Sequence, residues 1–253
     1  MPENMPSVLE LVLERERVRN ALDLATTERL LVSLTQARKD PTVRAVLLRG
    51  EGAGFCAGSD VKEMAQASMQ QRLHIAERKA VLMRSFAELD KPVVCAVHGF
   101  ALGGGFMLAI GCDVVVTSTD AVWRLPEVEL GFFPPWGIEA LVRRVGIARA
   151  RWLVWGATPH TGAEAVRFGL AEQEVPADRV LDGARAAAAR LAGLPSESAQ
   201  ATKRFFREQT PVPGLDNLAR EVYRQNCEAG SAEDSFARFK PKAGGPPKAP
   251  IAG

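Results

Sequence analysis

The stretch "CAVHGFALGGGFMLAIGCD", residues 95–113, decides how the chain is read. It leads from a short β-type segment, "PVVCAVHG" (Pro92 to Gly99), through three consecutive glycines, Gly103 to Gly105, into an apolar run of helical character. Glycine is about 1 kcal/mol worse than alanine inside a helix, so three in a row need an offsetting gain. One reading is a ligand site: glycine lets a group approach the backbone closely, and the unpaired amides of a helix N-terminus attract an anion or a polarised carbonyl oxygen. The other is a tight turn that packs strand against helix and binds nothing. A dinucleotide fingerprint is excluded, because Ala101 stands where the second glycine of GxGxxG belongs, and there is no GK[ST] phosphate loop.

A second glycine-rich turn, "LLRGEGAGFCAGSDVKEM" (Leu47 to Met64), repeats the order of strand, small-residue loop and helix start. Asp60, with Glu63 three residues on, reads as a capping box. If the two turns converge, two backbone N–H groups can point at one oxygen and form an oxyanion hole. Removing one donor from such a site typically costs about 3–4 kcal/mol of transition-state stabilisation. Only small residues let an oxygen come within about 3 Å of the nitrogen.

Around these turns, "VLELVL" (Val8 to Leu13), "VRAVLLRG" (Val43 to Gly50) and "DVVVTS" (Asp113 to Ser118) read as buried strands, and Thr26 to Lys39 and Gln70 to Leu89 as helices. The alternation predicts an α/β fold with parallel strands and helical crossovers. From about Ile138 onward strands nearly vanish and Ala- and Arg-rich helical stretches take over. Residues 1–190 are read as the core, 191–240 as a C-terminal helical region, and 241–253, rich in Pro, Gly and Lys, as a disordered tail.

The 253 residues carry 32 Lys and Arg against 30 Asp and Glu, with no basic stripe interleaved with aromatics, so nucleic acid is a poor partner and a small ligand is expected. Cys56, Cys95, Cys112 and Cys227 have neither CxxC spacing nor nearby histidines, which fits small core residues in a reducing compartment and no metal site. No apolar run approaches the ~20 residues of a membrane span, so a cytoplasmic location and no membrane partner are the expectation. His74, His98 and His160 are scattered, and no GxSxG elbow is present. Trp123, Trp136, Trp152 and Trp155 are expected in the core or in a pocket wall.

The segments "RNALDLATTERLLVSLTQARKDPTVRAVLLRGEGAGFCAGSDVKEM", "KPVVCAVHGFALGGGFMLAIGCDVVV" and "LPEVELGFFPPWG" together resemble the enoyl-CoA hydratase/isomerase (crotonase) superfamily. The similarity runs from about Leu11 to Val175, with a weaker helical continuation to Lys242. The resemblance implies a spiral of ββα units, a C-terminal helical region that helps form trimers or hexamers, and an acyl thioester carried on coenzyme A, which belongs to the substrate and is no separate cofactor. It implies an oxyanion hole formed by the N–H groups of Ala57 and Gly104. It further places Ala57, Gly58, Ser59 and Asp60 against the CoA portion, and Arg17 or Arg19 near its phosphates, although both arginines also fit plain surface charge.

Departures from the family pattern bear on the reaction. The family's hydratases use two glutamates to hold and activate water; here Met107 stands at the first position and Glu127 at the second. Methionine has no titratable proton and cannot act as acid or base. Pro135 replaces a glycine whose N–H helps orient water, and proline has none to offer. One carboxylate beside an oxyanion hole suffices for moving a double bond, and "EVELGFFPPW" resembles the 3,2-enoyl-CoA isomerases of the superfamily. Glu127 is then the proton shuttle, its pKa raised by Leu125, Phe132, Phe133 and Trp136, with Trp136 shaping the acyl pocket. Hydration or another specialised lyase or hydrolase reaction, and acyl-CoA binding without catalysis, are the alternatives.

Overall fold

A computed structural model describes residues 7–156, 158–208, 214–228 and 236–240. The β-branched runs form β1 (Ser7–Leu13), β2 (Val43–Gly50), β3 (Val93–Val97), β5 (Val114–Ser118) and β7 (Gln173–Val175), one parallel sheet in the order β1-β2-β3-β5-β7. Every residue of β3 is buried, as a strand covered on both faces must be. One face packs on α1 (Leu24–Lys39), α3 (Met69–Glu88) and α4 (Gly104–Ile110). The other is covered by α7 (Val180–Ala192) through Val180, Ala184 and Ala188, whose spacing puts them on one helix face.

Two short strands, β4 (Phe100–Leu102) and β6 (Val122–Arg124), pair parallel in a second ladder, and Cys56 joins it through a parallel bridge to Ala101. Each pass of the chain therefore adds one strand to each ladder: β2 then Cys56, β3 then β4, β5 then β6. This is the expected spiral. Each pass leaves the second ladder at the same end, into residues 57–60, 103–104 and 125–127. These are the segments singled out by their glycines and by Glu127.

The helix ends show where local signals act. Asp23 caps α1 by accepting from Thr26 N at 2.8 Å, and Ser68 and Gln71 form a reciprocal box at α3. Asp60 caps α2 (Val61–Gln66) through the Lys62 and Glu63 amides, but the expected capping box is incomplete. Glu63 instead accepts from Leu24 N at 3.1 Å, at the start of α1, while the Asp60 amide donates to Leu22 O. The strand β4 gave no signal in the sequence, since three residues are too few to show a strand period.

The C-terminal part comprises α5 (Ile138–Gly156), α6 (Gly162–Phe168), α7, α8 (Ser196–Glu208) and α9 (Leu215–Glu228). Lys203 ties α8 to the core by donating to Phe86 O, Lys91 O and Asp113. Trp123 and Trp136 are buried as expected, whereas Trp152 and Trp155 lie exposed on α5, because their helix face meets no other described element. The 241–253 tail lies outside the described residues. No helix among the described residues is long and apolar enough to cross a membrane.

The three glycines have three separate reasons. Gly103 has φ +50°, and a Cβ there would stand 2.7 Å from Glu127 Oε1; one on Gly104 would stand 2.9 Å from the Trp136 ring; one on Gly105 would overlap the Cys56 carbonyl oxygen. Gly105→Ala forces α4 away from the 56–60 segment, and an unfolding titration is expected to show a loss of about 2 kcal/mol or more, the usual scale of overpacking.

Candidate active site

A cavity of ≈ 100 Å³ brings together most of the residues singled out from the sequence. Ala57, Gly58, Ser59, Gly104, Met107, Glu127 and Trp136 all line it, and Pro135 lies beside Trp136 in its wall. Asp60 and Arg19 are not among the lining residues. The Asp60 carboxylate receives two 3.0 Å bonds from Arg15 and caps α2, so it supports the loop. Arg19 adopts the left-handed conformation, φ 55°, and lays its guanidinium 4.3 Å from the centre of the Phe100 ring.

The pairing of amides needs one correction. Ala57 N–H donates to Arg19 O at 2.9 Å and is not available to a ligand. The Leu22–Ser59 bridge explains what happens next in the loop. Leu22 N donates to Gly58 O and Asp60 N to Leu22 O, which leaves the Ser59 N–H facing the other way. Among the described residues neither Ser59 N–H nor Gly104 N–H has an acceptor. The two stand close together: a Cβ on Gly104 would lie 3.2 Å from Ser59 N, and one on Gly58 3.1 Å from Gly104 N. Ser59 and Gly104, from successive passes of the spiral, are thus the pair free to meet one oxygen. Sequence alone pointed to the right loop and to an amide two residues early. Only the bridge to Leu22 sets which N–H turns inward.

The loop is held from behind. Arg15 joins Asp60 to Asp23, Cys56 Sγ contacts Asn20 O at 3.1 Å, and Asn20 Nδ2 donates to Glu51 O and Gly54 O. Lys79 is fully buried beneath it, and burial lowers its pKa to about 8 against the opposing pull of Glu63, Asp60 and Asp23. Preorganisation of this kind matters because an amide misplaced by an ångström loses much of its effect.

Glu127 follows β6 and lies 7% exposed, and its Oε2 has no hydrogen-bond partner among the described residues. Burial raises its pKa from 4.5 to about 7, partly offset by a bond from its own backbone. Glu129, the nearest other carboxylate in sequence, is exposed and ion-paired to Arg124 at 2.7 Å. Met107 lies in the same cavity and brings no charge to it. The arrangement is a poised base or acid next to two amides in an apolar enclosure, which suits removal and return of a proton beside a carbonyl.

Several residues near the site gave no sequence signal. Asp216 of α9 accepts from Gly137 N and Glu139 N, capping α5, and Asn226 accepts from Phe133 N, so α9 clamps the loop that carries Glu127. Tyr223, Phe236 and Met64 also line the cavity. The one hint was compositional: Tyr223 is the sole tyrosine and is fully buried.

The raised pKa has a consequence for stability. Folded Glu127 keeps its proton to about pH 7, while the unfolded chain releases it near 4.5, so the folded state binds more protons between these values and stability falls as pH rises. Comparing Glu127→Gln with the parent by denaturant unfolding at pH 5 and pH 8 is expected to show the variant gaining about 3 kcal/mol relative to the parent over that interval. An equal difference at both pH values would contradict the burial of this carboxyl.

Comparison with known proteins supplies the family. A family model described as enoyl-CoA hydratase/isomerase matches residues 3–240. The 2,3-dehydroadipyl-CoA hydratase of Escherichia coli K12 is 34% identical over 85% of this chain and 84% of its own length. Carnitinyl-CoA dehydratase of Proteus mirabilis is 34% identical over 79% and 77%. The crystal structure of an enoyl-CoA hydratase from Bacillus anthracis superposes with a TM-score of 0.78 at 32% identity, over 87% of this chain and 86% of that one. With a spiral core, two converging amides and a buried glutamate already in place, the match over nearly the whole length settles the membership: this chain belongs to the enoyl-CoA hydratase/isomerase family, whose members act on acyl-CoA thioesters.

Proposed function

We propose that the protein shifts a double bond in an enoyl-CoA from the 3 to the 2 position, with Glu127 as the only proton carrier. The observation that carries this reading is a single buried carboxylate, Glu127, facing a cavity in which Met107 and Pro135 stand where water-handling groups would be needed. The Ser59 and Gly104 amides receive the thioester oxygen. Deprotonated Glu127 takes a proton from the carbon next to the carbonyl. The electron pair moves onto the oxygen as a dienolate, which the two amides stabilise by about 3–4 kcal/mol each. Protonated Glu127 then delivers the same proton two carbons further on, and the double bond ends conjugated with the carbonyl. No water enters the balance, and Trp136, 3% exposed, helps keep it out.

Coenzyme A enters as part of the substrate, and the exposure of Arg17 and Arg19 supports a reading in which one or the other meets its phosphates. Trimers or dimers of trimers fit the exposed aromatics Trp152, Trp155, Phe205 and Phe206 on α5 and α8, which a partner subunit can cover. Hydration is the second reading, favoured by the names of the relatives above; it requires water to be held without a carboxylate at position 107.

Purified protein incubated with 3-hexenoyl-CoA is expected to produce the conjugated 2-enoyl thioester, and Glu127→Gln to lower kcat by a factor of about 10² to 10⁴ with little change in KM. The kcat/KM profile is expected to rise with pH and level off above about 7, since the base must be deprotonated in the free enzyme. Rapid hydration of a 2-enoyl-CoA with no isomerisation would replace this reading with the second. If acyl-CoA binds but its α-carbon exchanges no deuterium, the protein is a binder without catalysis.

A further inference from the structure

The cavity that holds Glu127 is lined in part by aromatic side chains from separate parts of the chain, Phe132, Tyr223 and Phe236. Phe132 stacks on Phe236 with ring centres 5.4 Å apart and meets Tyr223 edge-on at 6.2 Å. Its amide donates to Glu127 O at 3.0 Å, so this group of rings begins immediately beside the base. Behind it, the Arg72 guanidinium lies 4.5 Å from the Phe236 ring centre and donates from Nε to Met64 O; Arg72 does not line the cavity. This aromatic group is held from both ends of α9. Asp216 holds Gly137 and Glu139, Asn226 holds Phe133, and Tyr223 lies between them, fully buried.

We propose that this aromatic wedge restricts the enzyme to short, uncharged acyl chains, with Phe132, Tyr223 and Phe236 setting the limit; the inference rests on the acyl-CoA reading of the site. At ≈ 100 Å³ the cavity, which also takes in the reacting centre, is well below the roughly 300–1,000 Å³ of pockets that enclose drug-sized ligands, so it suits a short acyl group. Charge is excluded for a different reason. Glu127 is the only charged side chain among the described lining residues, so a terminal carboxylate would be stripped of water with no counter-ion to receive it.

Binding tests this without depending on turnover. Calorimetry on the full chain with saturated butyryl-, hexanoyl-, decanoyl- and adipyl-CoA is expected to give hexanoyl-CoA at least a tenfold advantage over both decanoyl- and adipyl-CoA. Phe236→Ala, and separately the milder Phe132→Leu, are expected to narrow the hexanoyl-to-decanoyl ratio at least fivefold, with folding checked by circular dichroism. Decanoyl-CoA binding as tightly as hexanoyl-CoA to the parent protein would overturn the proposal, and so would a ratio unmoved in folded variants. If the order of affinities holds while 3-hexenoyl-CoA is not conjugated, the wedge stands and only the assignment of the reaction falls.

Discussion

The closeness with which the 56–60 segment approaches the first turn of α4 is the constraint on which the site depends. Parallel pairing of Cys56 with Ala101 sets the two passes side by side, and the residues that follow must then lie nearly in backbone contact. Gly58, Gly104 and Gly105 exist at that contact because a Cβ at any of them would strike the facing main chain or Trp136. The same closeness puts the Ser59 and Gly104 amides, neither with an acceptor among the described residues, next to each other, and the proposed reaction uses this pair to receive the thioester oxygen.

Glu127 is the second element held against its own preference. Its carboxyl is removed from water among apolar neighbours, and an isolated charge there would be expensive, so the group keeps its proton to near neutrality. That loss of stability is the physical basis of its reactivity, since a carboxylate of ordinary acidity is a weak base toward a carbon acid. The fold offsets it elsewhere. Asp216 and Asn226 bind amides of the segment that follows the glutamate, and the apolar core beneath α4 supplies the rigid floor.

One fold can host different reactions through changes in a few side chains at its site. Met107 and Pro135 illustrate this. Met107 sits within the regular helical path of α4, and neither its side chain nor the proline nitrogen at 135 offers a group able to activate water. Methionine packs against Gly137, where a Cβ would stand 2.8 Å from Met107 Cβ, so the position lost to chemistry serves the packing of α4 on the start of α5.

The strands β1, β2, β3 and β5 and the helices α1 and α3 were legible because their apolar periods and end signals are local, carried within a few residues of each element. The glycine triplet, the Ala57 to Asp60 loop, Glu127 and the apolar residue at 107 were legible for the same reason, each within a short contiguous motif. Tertiary structure alone decided what depends on pairing between distant segments. The bridge from Leu22 to Ser59 turned the Ser59 amide inward and left Ala57 bonded to Arg19, and β4 and β6, three residues each, exist as strands only because they pair with each other. Likewise Tyr223 and Asp216 reach the site from α9, some 90 residues after Glu127 in the chain. A motif fixes which residues are present in a segment, but which N–H faces a cavity and which side chain closes it are set by hydrogen bonds and packing that no single segment contains.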